Sequence, residues 1–179
     1  MSADASREAL RRALRELHAP SLHGFALLLT LGDRQRAMRL TADALAAADL
    51  RAAELRHPER AAAWLRSRVT ATAGRRDSRI DMELRLDALE PLGVTPEVLA
   101  GLTALGVVER AALVGSGIEG LDDRDVATIV GHSGNRLETL LRRARSRFLE
   151  GCAAAPGGPS RLGGPLTDLV RSAAARAMT

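Results

Sequence analysis

The stretch NRLETLLRRARSRF, Asn135 to Phe148, gathers side chains with a definite chemistry. Arg136, Arg142, Arg143, Arg145 and Arg147 carry guanidinium groups, and Asn135 and Thr139 add neutral hydrogen-bonding groups. A guanidinium is a planar fork that fits two phosphate oxygens or the O6/N7 edge of guanine. The partner this chemistry suits is duplex DNA. A solvated arginine face on a helical hairpin has the same composition, and spacing alone leaves both readings open. A second group, Arg60, Arg66, Arg68, Arg75 and Arg76, lies in PERAAAWLRSRVTATAGRR around Trp64. It lines either a second DNA-facing helix or a solvated surface. Trp64 shares an apolar stripe with Ala61 and Leu65, which puts it in a core rather than on a base-stacking platform.

Other chemistry has little to stand on. His18, His23, His57 and His132 are scattered, with no cysteine or paired acid at ligand spacing, so neither a metal nor a cofactor is expected. There is no glycine-rich phosphate loop, nucleophile elbow or HExxH. The acids Asp122, Asp123 and Asp125 read as helix-start residues. The chain is expected not to be an enzyme.

All 26 basic residues are arginine. GC-rich codon usage accounts for the absence of lysine, yet every cationic contact is still a fork. Residues 1–76 hold 14 arginines and 8 acids, a net +6, whereas residues 77–120 hold 3 and 8, a net −5. Residues 121–150 return to +1 and residues 151–179 to +2. Two basic ends flanking an acidic belt suit a protein that touches a polyanion twice. Cys152 is the only cysteine, which excludes an intrachain disulfide and suits a reducing, cytoplasmic setting. The N-terminus lacks the apolar run of a signal peptide, and Phe25–Leu31 is too short to span a bilayer.

The elements that must position these groups read as helices throughout. Aromatic residues are only 2% of the chain and aliphatic helix formers dominate, so the fold class is all-α. The pattern predicts a helix over 6–17 broken by Pro20, a second carrying FALLLTL, and a third from Asp33 to about Leu55 after a Gly32-Asp33 turn. A fourth begins at Pro58 and stops at Gly74. Residues 77–94 read as an acidic linker with some helical character. Beyond it, Thr95 caps a helix opened by Pro96, Val107–Ile118 forms one weakened by Gly115 and Gly117, and Asp122 caps a short helix ending at Gly131. Asn135 and Glu138 read as the capping pair of a last long helix, which buries Leu137, Leu141, Ala144 and Phe148. Residues 151–179 read as a Gly/Pro-rich linker with an amphipathic helix through Leu166, Leu169, Val170 and Ala173.

Two helices joined by a tight turn, the second basic, make a helix-turn-helix pattern. The order Leu105, Arg110, Glu119-Gly120-Leu121, Asp125-Val126-Ala127, Val130-Gly131, Arg143-Ala144-Arg145 resembles the C-terminal domain of extracytoplasmic-function sigma factors. SLHGFALLLTLGDRQRAMRLTADALAAA is similar to the family's polymerase-holding helices. Arg60, Trp64 and Leu65 match its promoter-proximal segment.

This resemblance implies a sigma-like initiation factor. Residues 1–76 would bind core RNA polymerase, with Leu40 and Asp43 as contacts, and engage the proximal promoter element. Residues 77–94 would link to a helix-turn-helix unit at 95–150 that reads the distal element of double-stranded promoter DNA. An anti-sigma protein would be an optional third partner. The chain departs from the family pattern at Gly106, at Asn135-Arg136, at Glu138 and Leu140, at Ala71, and along Arg39–Asp43. The altered Arg39–Asp43 run and Glu138 suit an alternative, a diverged sigma-fold interaction module, and a stand-alone helix-turn-helix regulator is a third reading.

Overall fold

In the computed structural model, described for residues 3–51, 55, 57–74 and 82–155, every regular element is helical. The order is α1 (Ala3–Leu29), α2 (Arg34–Asp49), α3 (Pro58–Ala73), α4 (Met82–Leu89), a 3-10 turn (Glu90–Leu92), α5 (Pro96–Thr103), α6 (Val107–Leu113), a π turn (Val114–Ile118), α7 (Asp123–Val130) and α8 (Asn135–Ala153). Arg75, Arg76, residues 77–81 and the tail from 156 lie outside the described residues.

Helix α1 corrects the expected break at Pro20, because the helix runs through it. Leu14, His18, Leu22, Phe25 and Leu29 form one buried stripe along its length. Pro20 is on the exposed side, away from the packed stripe. Continuous burial of the stripe outweighs the ~3 kcal/mol that an interior proline costs. The next helix is shorter than expected. Asp33 caps α2, its carboxylate accepting from the Arg36 N–H at 2.9 Å, but α2 ends at Asp49.

Pro58 opens α3 and Gly74 closes it, as the sequence indicates. Thr95 and Asp122 cap α5 and α7, accepting from the N–H groups of Val98 and Asp125 at 3.4 and 2.8 Å. Residues 107–118 do not make one α-helix. After Leu113 the backbone widens, and the Glu119 N–H donates to the Val114 carbonyl at 3.0 Å. Gly115 and Gly117 weaken the helical preference enough for a π turn to form.

The start of α8 also departs from the expectation. Asn135 is the first helical residue, not the cap, and neither its side chain nor that of Glu138 caps the helix. Gly134 holds the cap position at φ +54 and ψ −138, a backbone open essentially to glycine alone.

One continuous apolar core runs through α1, α2, α3, α5, α6, α7 and α8. Helix α5 packs along α8, α3 against α7, and α1 against α2 and α3. Leu89 of α4 is fully buried, so the stretch read as a linker contributes to this core. Gly101 sets the α5–α8 distance: a Cβ there would fall 2.6 Å from Cys152 Sγ and 2.7 Å from Phe148 Cε2. Arg110 ties the halves together. Its buried guanidinium donates to the carbonyls of Leu102 at 3.0 Å and Leu105 at 2.8 Å, and to that of Leu29. It thereby links the end of α1 to the end of α5 and the turn just beyond it.

Candidate nucleic-acid interface

Helix α8 has two unlike sides. Leu137, Leu141, Ala144, Phe148 and Cys152 are buried, as the 3.6-residue period requires. Asn135, Arg136, Thr139, Arg142 and Arg143 are exposed. His132, Asn135, Arg136, Thr139, Leu140 and Arg143 line a shallow depression along this outer side. The turn before it is short, since Gly131 ends α7 in the left-handed region and Gly134 starts α8. Arg145 differs from its neighbours. It is half-buried beside the apolar stripe, with Nε sequestered, so less of its guanidinium faces the outer side than in Arg142 or Arg143.

Two of the arginines are held by an acid. Glu109 Oε1 lies 3.1 Å from Arg143 Nε, and Glu109 Oε2 accepts from Arg147 Nη1 at 2.7 Å. The same Oε2 accepts from the Gly106 N–H at 3.0 Å, fixing the carboxylate at the first turn of α6. Even so, the Arg143 side chain is 68% exposed and that of Arg147 is 41% exposed. The outer side of α8 is open to solvent.

The second arginine group is divided. Arg60 and Arg68 are exposed on α3. Arg66 is 5% exposed and donates through Nε and Nη2 to Glu119 at 2.6 and 2.7 Å, so it is corrected from a DNA candidate to a core ion pair. Its guanidinium also lies 5.7 Å from the Phe25 ring centroid. Burial, helped by the charge of Arg66, pushes the His18 imidazole below its usual range. Trp64 is only half-buried, packed against the core rather than enclosed in it, with the guanidiniums of Arg51 and Arg68 at 5.8 and 6.0 Å from its ring.

Comparisons with protein-family models, with curated proteins and with solved structures give no match to this chain. The site therefore rests on its own geometry.

Of the two residues assigned to polymerase, Leu40 is 6% exposed and faces the core, so its side chain cannot be a contact. Asp43 is exposed on α2. Two residues escaped the reading of the sequence. Arg124 lines both the groove between α7 and α8 and the groove where α3 meets α7, beside Arg60 and Trp64. Its place among Asp122, Asp123 and Asp125 made the segment look acidic. Glu109 escaped because its partner Arg147 is 38 residues away in sequence. Among the described residues no group of three or more His, Cys, Asp or Glu side chains could hold a metal, and no helix is long and apolar enough to cross a membrane.

Proposed function

We propose that this chain is a sigma-like transcription initiation factor that meets double-stranded promoter DNA through α8 and docks on core RNA polymerase. In this reading α7 and α8 are a helix-turn-helix, residues 95–150 act as the DNA-reading unit, and residues 1–76 hold the polymerase. The chain itself catalyses nothing; it directs the polymerase to chosen starts. The observation carrying the proposal is the exposed row Asn135, Arg136, Thr139, Arg142 and Arg143, opposite a fully buried stripe on the same helix. A helix anchored on one side by leucines can enter a major groove with the other. Its forks then take phosphates and base edges.

A second reading has its own support. The core is continuous between the two halves, Arg66 clasps Glu119, and Leu40 is buried. These favour a one-piece helix-turn-helix regulator that binds DNA without polymerase. Adding the chain to core polymerase on a library of promoter fragments separates the readings. Specific new transcription starts support the initiation factor. DNA binding without starts supports the regulator. Polymerase binding without starts or DNA binding supports an interaction module.

A further inference from the structure

Glu109 stands beneath the outer face of α8, and its contacts decide how Arg143 is presented. Resting on the proposal that α8 meets duplex DNA, we propose that Glu109 is a positioning residue that holds Arg143 as an outward-facing fork for a guanine edge, with Arg147 as anchor. Arg143 approaches the carboxylate through Nε, the nitrogen nearest its stem. No described residue takes a hydrogen bond from its terminal nitrogens. Nη1 and Nη2 are the pair that serves O6 and N7 of guanine. The carboxylate itself is fixed from below by the Gly106 N–H and the Arg147 guanidinium, and its side chain is only 10% exposed.

Charge argues against a mask. One carboxylate faces two guanidiniums and also sits at the N-terminal turn of α6, whose dipole stabilises it. The cluster keeps a net positive charge, so a phosphate backbone is still attracted to it. What the carboxylate removes is freedom: an exposed arginine loses rotamer entropy on docking, and a preorganised one loses less. The gain is then in discrimination between bases rather than in total affinity.

The test uses the full chain. A duplex selected from a random pool is bound by the wild type, Arg143→Ala, Glu109→Gln and the double variant, against each single base-pair change. Glu109→Gln keeps an oxygen for the Gly106 N–H, and thermal melting checks that it folds. Glu109→Asp keeps the charge but withdraws it from Arg143, and serves as the second variant should Gln melt early. The expected result is a loss of preference at one G·C pair by about tenfold in both single variants, with no further loss in the double variant. Binding to unrelated duplex stays equal or rises. If the Glu109 variants tighten binding to every sequence alike, or the losses add, the positioning role is overturned. If the wild type selects no duplex at all, the DNA reading falls and this role falls with it.

Discussion

Arg66 of α3 and Glu119, just after the π turn, form a bidentate pair with N–O distances of 2.6 and 2.7 Å. The Arg66 side chain is 6% exposed and that of Glu119 is 17% exposed. They lie 53 residues apart and join the arginine-rich N-terminal half to the helix pair that carries α8. Removing one partner leaves the other charge buried and alone. Glu119→Ala or Arg66→Ala should cost about 3–5 kcal/mol in urea unfolding, whereas the double change Arg66→Met with Glu119→Leu should cost much less. A loss in the double variant equal to the sum of the two single losses would mean that the pair itself contributes little.

His18 lies beside this pair and is held neutral by burial and by Arg66. Its folded pKa is below the ordinary 6.5, so in acid the unfolded chain takes up the proton first. The stability tied to His18 is intact above pH 6.5 and is lost as pH falls from there toward the depressed folded value. Chemical denaturation between about pH 7.5 and 5.5 should show this slope, and His18→Gln should flatten it. A slope unchanged in the variant assigns the titration to other groups.

Gly101 and Gly151 let α5 and α8 approach closely. An added Cβ at Gly151 would sit 2.9 Å from Gly101 Cα and 3.0 Å from the Ala100 carbonyl oxygen, which is backbone and cannot swing away. Gly101→Ala and Gly151→Ala should each destabilise the chain by ~1–3 kcal/mol. Gly74→Ala is the control, since a Cβ there meets nothing within 4 Å among the described residues and the backbone is right-handed. Thermal melts of the three variants check the contrast.

Cys152 is 4% exposed, and burial pushes its thiol up to about 11. The thiolate is the reactive form, so the native chain should resist alkylation at about pH 8 and react once denatured. Fast labelling of the folded chain would show that the α5–α8 contact opens readily.

Arg136 is exposed at the first turn of α8, without a described ion pair. As a phosphate contact, its change to alanine should weaken binding to all duplexes alike and lower the salt slope by about 1. A loss confined to one base pair would instead make it a base reader. The half-buried Arg145→Ala should change the melt more than the salt slope.

Much of the fold was legible because local rules are strong where polar groups must be satisfied along the chain. Asp33, Pro58, Thr95, Asp122 and Gly131 mark helix ends that depend only on near neighbours. The stripe Leu137–Leu141–Ala144–Phe148 follows from helical period alone. Pro20 and Asn135 were misread because a local cost was overruled, at Pro20 by a long buried stripe and at Asn135 by the backbone of Gly134.

An arginine-rich pattern states how many forks the chain carries, and the helical period states which side of α8 they occupy. Which forks are free depended on acids distant in sequence. Glu119 took Arg66 into the core, while Glu109 caught Arg143 and Arg147 from another helix and left Arg143 largely, and Arg147 partly, in solvent. Ion pairing acts through space over a few ångströms, and only the packing of α3, α6 and α8 brought those charges within reach.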